Sequence, residues 1–198
     1  MNFKEELIKH ILIFDGAYGT QFQALGLKEE DYRGSLWAGH TVPLKGNHEV
    51  LNLTSPSAVE GIHSAYIAAG SQIITANTFN ANAISQEDYK LADKAPLLAY
   101  EGVKIAKQAA AKASLKVWVA GTLGPTNKTL SLAGDVEHPE KRGISFEELE
   151  KAYFDQLEAM ERAGVDIVLI ETIFDTLNAK AAIAAYEKLY SSKVRKPL

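Results

Sequence analysis

Four short apolar runs recur along the chain: Ile11–Phe14, Gln72–Ala76, Val117–Ala120 and Ile167–Ile170. Each is continuous or nearly so, where a half-exposed strand would alternate apolar with polar. That pattern predicts parallel strands covered by helices on one face and by a packed interior on the other. Between the runs the apolar spacing lengthens to three or four residues, the period of a helix. A short leading helix is predicted over Phe3 to Lys9. Ser55-Pro56 reads as an N-cap followed by proline at the first helical position, with Gly70 closing that helix. A further pattern starts at Pro96 and places Ala99, Val103, Ala106 and Ala110 on one side. Ser145 and Glu148 form a capping box ahead of Phe146, Leu149, Tyr153, Leu157 and Met160, and Gly164 ends the run. The last helix is predicted from Asp175-Thr176 to about Tyr190.

Strand and helix in alternation, four times over, predict a parallel sheet in an α/β protein. An open doubly wound sheet and a (β/α)8 barrel both satisfy the pattern. A complete barrel takes about 250 residues, so four units in 198 residues would be roughly half of one.

Each predicted strand ends in a polar or glycine-containing cluster: Asp15 to Thr20, Asn77 to Asn80, Gly121 to Thr126, and Glu171-Thr172. In either architecture the carboxyl ends of parallel strands converge on one cavity, where ligands bind. The turn at Asp15-Gly16-Ala17 can aim backbone N–H groups at a carboxylate or phosphate. It does not follow the dinucleotide or P-loop glycine patterns. Asp15 and Glu171 supply two carboxylates suited to an ammonium group, and Asn77 and Thr78 supply neutral donors and acceptors. Together they suit the zwitterionic end of an amino acid better than a nucleotide. Each cluster also has a plain structural reading: a turn at Asp15-Gly16 and at Gly124-Pro125, and strand-end hydrogen bonding at Asn77 and Thr78. Tyr18, Phe22 and Trp37 fit a pocket wall and ordinary packing equally well.

Composition narrows the partners. A net charge of −4 and a pI near 5.8 exclude a general nucleic-acid binder. No apolar run approaches the ~20 residues of a membrane helix, and the N-terminal segment lacks the features of a secretory signal, so a cytoplasmic location is expected. The chain has no cysteine, which leaves it without disulfides, thiol nucleophiles or thiolate metal sites. His10, His40, His48, His63 and His138 show no metal-ligand spacing and are expected to be solvated or capping. Lys28 to Asp31, within the long loop from Leu25 to Leu53, is expected to be a solvated face.

Several longer segments carry a resemblance. FDGAYGTQFQ (Phe14 to Gln23), NHEVLNLTSP (Asn47 to Pro56), ITANTFNAN (Ile74 to Asn82), VAGTLGPTNKTLS (Val119 to Ser131) and LIETIFDTLNAKAA (Leu169 to Ala182) resemble the homocysteine-binding domain of cobalamin-dependent methionine synthases. The match runs through nearly the whole chain in the family's order. Betaine- and S-methylmethionine-dependent homocysteine methyltransferases share some of these elements.

The resemblance implies a (β/α)8 TIM-barrel type fold with about the first four β/α units present, so that 1–198 is the N-terminal part of one homocysteine-binding barrel domain. It implies that Asp15, Gly16 and Ala17 hold the amino-acid end of homocysteine, that Asn77 and Thr78 line the pocket, and that Glu171 takes the ammonium. It also implies zinc bound by three cysteines and methyl transfer from cobalamin in the complete enzyme, with folate, cobalamin and reactivation modules as partners. This chain lacks those cysteines and is expected to bind no cofactor itself. A stand-alone half-barrel, closing as a homodimer, and a relative using another methyl donor are the alternatives.

Overall fold

A computed structural model describes residues 3–132, 137–138 and 142–198. Three parallel strands, β1 (Ile73–Thr75), β2 (Trp118–Leu123) and β3 (Ile167–Ile170), lie in chain order, β1 against β2 and β2 against β3. The register aligns Ile74 with Val119 and Gly121 with Val168. The helices are α1 (Phe3–Lys9), α2 (Tyr18–Ala24), α3 (Glu29–Arg33), α4 (Leu51–Thr54), α5 (Pro56–Ala68), α6 (Ala83–Glu87), α7 (Ala95–Ala111), α8 (Phe146–Arg162) and α9 (Thr176–Leu189). Single 3-10 turns cover His48–Val50 and Ala92–Lys94.

The expected first strand is reduced to one parallel bridge, Phe14 to Ile73. Asp15 N donates to the Ile73 carbonyl at 2.9 Å and Gln72 N to that of Ile13 at 2.8 Å. The physical reason is burial. Ile11 is 91% exposed and Ile13 58%, so little packing holds this run in a longer ladder. On the far side of the sheet Val168 N donates to the Pro197 carbonyl at 2.9 Å, so the tail lies alongside β3.

Strand side chains alternate between faces, and the core divides accordingly. Ile74, Val119, Leu123 and Val168 pack under α7, α8 and α9 against Val103, Tyr153, Leu157 and Ala185. Ile73, Trp118, Ala120 and Ile167 face the other way, against Phe3 of α1, Leu12 and Leu169. The Phe3 ring meets Trp118 edge-on at 5.3 Å. A third cluster, with Phe22, Tyr32, Val50, Leu51 and Ile62, anchors α2, α3 and α4 to α5.

Helix punctuation follows local chemistry. In α8 the Ser145 hydroxyl accepts from Glu148 N, and the Glu148 carboxylate accepts from Ser145 N at 2.8 Å. Asp175 caps α9 by accepting from Leu177 N. Ser55 precedes α5 with Pro56 at its start, but its side chain makes no capping hydrogen bond. Gly70 and Gly164 take positive φ after α5 and α8, where a β-carbon is disfavoured. Residues 28–31 depart from a solvated face at Glu29. Its half-buried carboxylate accepts from Arg33 Nε at 2.6 Å, Leu44 N at 2.8 Å and Lys45 N at 2.7 Å, folding the long loop back on itself.

Candidate functional site

A cavity of about 550 Å³ opens at the carboxyl ends of the strands, within the usual range for a small-molecule site. Asp15, Gly16, Ala17, Asn77 and Glu171 all border it, so loops far apart in sequence meet there. Thr78 does not: it is fully buried behind the wall, with its hydroxyl paired to Thr122. That corrects its expected place in the lining. The reason is its hydrogen bonding: the Thr78 hydroxyl accepts from Thr122 N at 3.0 Å and donates to the Thr122 carbonyl at 3.1 Å, which holds it inside the wall. Gln156 of α8 seals this layer by donating to the carbonyls of Thr78 at 2.6 Å and Thr122 at 3.1 Å.

Asp15 is fixed by β1 and α2. One carboxylate oxygen accepts from Thr75 N at 2.6 Å and from the Tyr18 hydroxyl at 2.8 Å, and the Thr75 hydroxyl lies at 3.1 Å. Burial pushes the Asp15 carboxyl above its usual range despite these donors. The adjoining turn is pinned by Tyr66 of α5, whose hydroxyl donates to the Ala17 carbonyl at 2.8 Å. A β-carbon at position 16 would sit 3.1 Å from the Tyr66 hydroxyl, so glycine lets the ring lie against the turn.

Glu171 follows β3, where its N–H donates to the Leu123 carbonyl at 3.1 Å. Burial first, and the charge of Asp15 second, raise its carboxyl above the ordinary value. Thr172, the next residue, holds φ at 59°, an unfavourable conformation for a β-branched side chain. Two neighbouring carboxylates with raised proton affinity form a place where a ligand cation is strongly favoured.

Asn77 is held through its side chain. Its amide donates to the His48 carbonyl at 2.8 Å and to Asn52 at 2.9 Å, and Asn52 in turn donates to the carbonyls of Asn77 and Leu98. Gly102 of α7 makes this approach possible. A β-carbon there would come within 2.7 Å of both the Asn52 amide and the Asn77 carbonyl.

The fold also brings in residues that the sequence pattern left aside. Glu49 borders the cavity almost fully buried, accepting from Asn80 N at 2.8 Å, and burial raises its carboxyl. His48 stacks on Phe22 at 4.7 Å, and burial lowers its imidazole. His63 is 0% exposed, which corrects the solvated reading. Its place on the apolar face of α5 beside Val59 and Ile62 was the available signal. Glu49 and His48 belong to the Asn47 to Pro56 segment that carried the resemblance, but no apolar pattern marks them as buried; the 48–50 turn carries them inward. Among the described residues no three His, Cys, Asp or Glu side chains gather to hold a metal ion, and the sequence contains no cysteine. This donor set does not fit a thiolate zinc centre.

The architecture and this strand-end cavity define an α/β domain of the kind that binds a small ligand above a parallel sheet. The family model of homocysteine S-methyltransferases matches residues 12–197, and the chain belongs to that family. Solved structures of the homocysteine methyltransferase MmuM from Escherichia coli have a similar fold. The metallated form aligns with a TM-score of 0.67 at 22% identity, covering 96% of this chain and 63% of that one. The oxidized form gives 0.68 at 21% identity, covering 97% and 63%, and the apo form 0.60 at 20%, covering 96% and 59%. The chain therefore spans about three fifths of the length of these relatives. Among the described residues no helix is long and apolar enough to cross a membrane.

Proposed function

We propose that this chain forms the amino-acid-binding portion of a homocysteine methyltransferase, within a cobalamin-dependent methionine synthase. The observation that carries the reading is the Asp15–Glu171 pair facing one cavity, each carboxyl raised by burial and, among the described residues, no Lys or Arg lining the cavity. The ammonium of homocysteine fits between them. Its carboxylate fits the backbone N–H groups of the Gly16-Ala17 turn, and Asn77 closes the wall. The overall reaction moves a methyl group from the donor to the thiolate sulfur, giving methionine. The zinc that activates the sulfur and the cobalamin that brings the methyl group would come from parts of the enzyme other than these residues.

The barrel reading belongs to the same proposal. Strands in unbroken chain order, with the Phe14 segment beside β1 and Pro197 beside β3, support a (β/α)8 path over an open sheet that reverses its order at a switch point.

Calorimetric titration of homocysteine into the full-length protein tests the site. Glu171→Gln keeps the shape and removes the charge, so affinity should fall roughly tenfold, the loss of one charge-assisted hydrogen bond. An unchanged affinity would remove Glu171 from the site. Turnover assays with methylcobalamin and with onium methyl donors would then separate the donors.

A further inference from the structure

Behind the cavity wall runs a chain of hydrogen bonds from Asp15 to a side chain that never reaches the ligand. The Tyr18 hydroxyl lies 2.8 Å from the Asp15 carboxylate and 2.6 Å from Nδ1 of His63. His63 is completely buried, and its Nε2 has no hydrogen-bond partner. The Tyr18 ring packs against the His63 ring at 5.2 Å and the Tyr66 ring at 5.6 Å, so the hydroxyl has little freedom to turn away.

A phenol has one proton to donate. The Asp15 oxygen facing Tyr18 already accepts from Thr75 N at 2.6 Å, a donor that cannot reverse. The consistent assignment therefore has Tyr18 donating to Asp15 and His63 Nδ1–H donating to Tyr18. The unpartnered Nε2 is then a bare lone pair, which costs less buried than an unmatched N–H. Burial drives the imidazole down to about 4, so it is neutral near neutral pH, and the hydrogen bond to Tyr18 selects the Nδ1–H tautomer. Burial, then the Asp15 charge, pushes the Tyr18 phenol up, so it remains a donor.

We propose that Tyr18 and His63 are positioning residues for Asp15: the buried imidazole orients the Tyr18 hydroxyl so that its proton is committed to Asp15, keeping that carboxylate ionised and aimed at the ligand ammonium. This rests on the homocysteine reading of the cavity. Among the described residues, the other titratable groups facing Asp15 are Glu171 at the end of β3 and, across Tyr18, Tyr66 of α5, while His48 and Glu49 border the same cavity from the 48–50 turn.

The test is the pH profile of homocysteine affinity in the full-length protein. Tyr18→Phe should move the acid limb up by about one pH unit, because Asp15 loses a donor that favours its charged form. His63→Leu should move it the same way by less. His63→Asn, which keeps a donor at the Nδ1 position, should restore the wild-type limb. Equal weakening at every pH in both Tyr18→Phe and His63→Leu would reduce the pair to packing and overturn the proposal. The second measurement needs no variant to bind: ¹⁵N NMR of the histidines in wild-type protein, with the His63 signal identified by its loss in His63→Asn. A neutral Nδ1–H tautomer is expected, and an Nε2–H tautomer would overturn the relay. A wild-type protein that shows this tautomer and binds no homocysteine at any pH would sink the substrate reading and leave the relay standing.

Discussion

At the scale of single residues, the cavity is assembled from side chains whose neighbours leave them little choice of position. Gly102 shows how narrow the tolerance is. Gly102→Ala would place a methyl 2.7 Å from the Asn52 amide and the Asn77 carbonyl, both of which are committed to hydrogen bonds. Neither backbone nor network can yield cheaply, so thermal or denaturant unfolding should show a loss of about 1–3 kcal/mol. No loss of stability would mean that α7 can shift away from the Asn52–Asn77 pair. Asp15, Gly16, Ala17, Asn77 and Glu171 were legible as candidates because polar clusters ending apolar runs are a local signal. Thr78 was legible as a strand-end residue, but which way it points depends on Thr122, 44 residues away, to which its hydroxyl is bonded. Glu49 and His48 lay inside a segment that carried the resemblance, but their place at the cavity was not legible, since their burial depends on contacts made from remote elements.

At the scale of elements, local chemistry set most boundaries. The capping box of α8 is written into Ser145 and Glu148 and appears as expected. Ser145→Ala removes the hydroxyl that accepts from Glu148 N, so unfolding by denaturant should show a loss of about 1 kcal/mol with an unchanged slope. The short elements were harder to read. Between Leu25 and Leu53 the chain forms α3, the 48–50 turn and most of α4, each too short to carry a periodic signal. They are held by burial of Tyr32, Leu44, Val50 and Leu51 and by the carboxylate of Glu29. The first apolar run, conversely, had the right pattern and lacked the packing that completes a strand.

At the scale of the whole molecule, the buried titratable groups pull stability in opposite directions as pH changes. His63 falls from 6.5 unfolded to about 4 folded, so between those values the unfolded chain binds the extra proton and stability drops as pH drops. Carried from pH 7 to 4, this one group costs on the order of 3 kcal/mol. Asp15, Glu49 and Glu171 are raised, so above the ordinary carboxylate range the folded state takes up protons first, and acidification there favours the fold. Measuring wild type against His63→Asn isolates the histidine. The stability advantage of the wild type should shrink by that amount over the interval, and a pH-independent difference would mean that His63 is solvated when neutral or charged.

The sequence by itself determined the α/β alternation, two of the strand positions closely, the major helices, the caps of α8 and α9 though not the one expected of Ser55, and the family. All of these depend on spacing, on backbone chemistry within a few residues, or on long contiguous motifs. Only the tertiary structure decided that Asp15, Asn77 and Glu171 share one cavity while Thr78 stands behind it. It alone joined His63 to Asp15 through Tyr18. Those relations span 45 residues between Tyr18 and His63 and 60 between Thr75 and Asp15. No local propensity reaches that far; they exist because burying two faces of one sheet forces its strand ends, and the loops that leave them, into a single place.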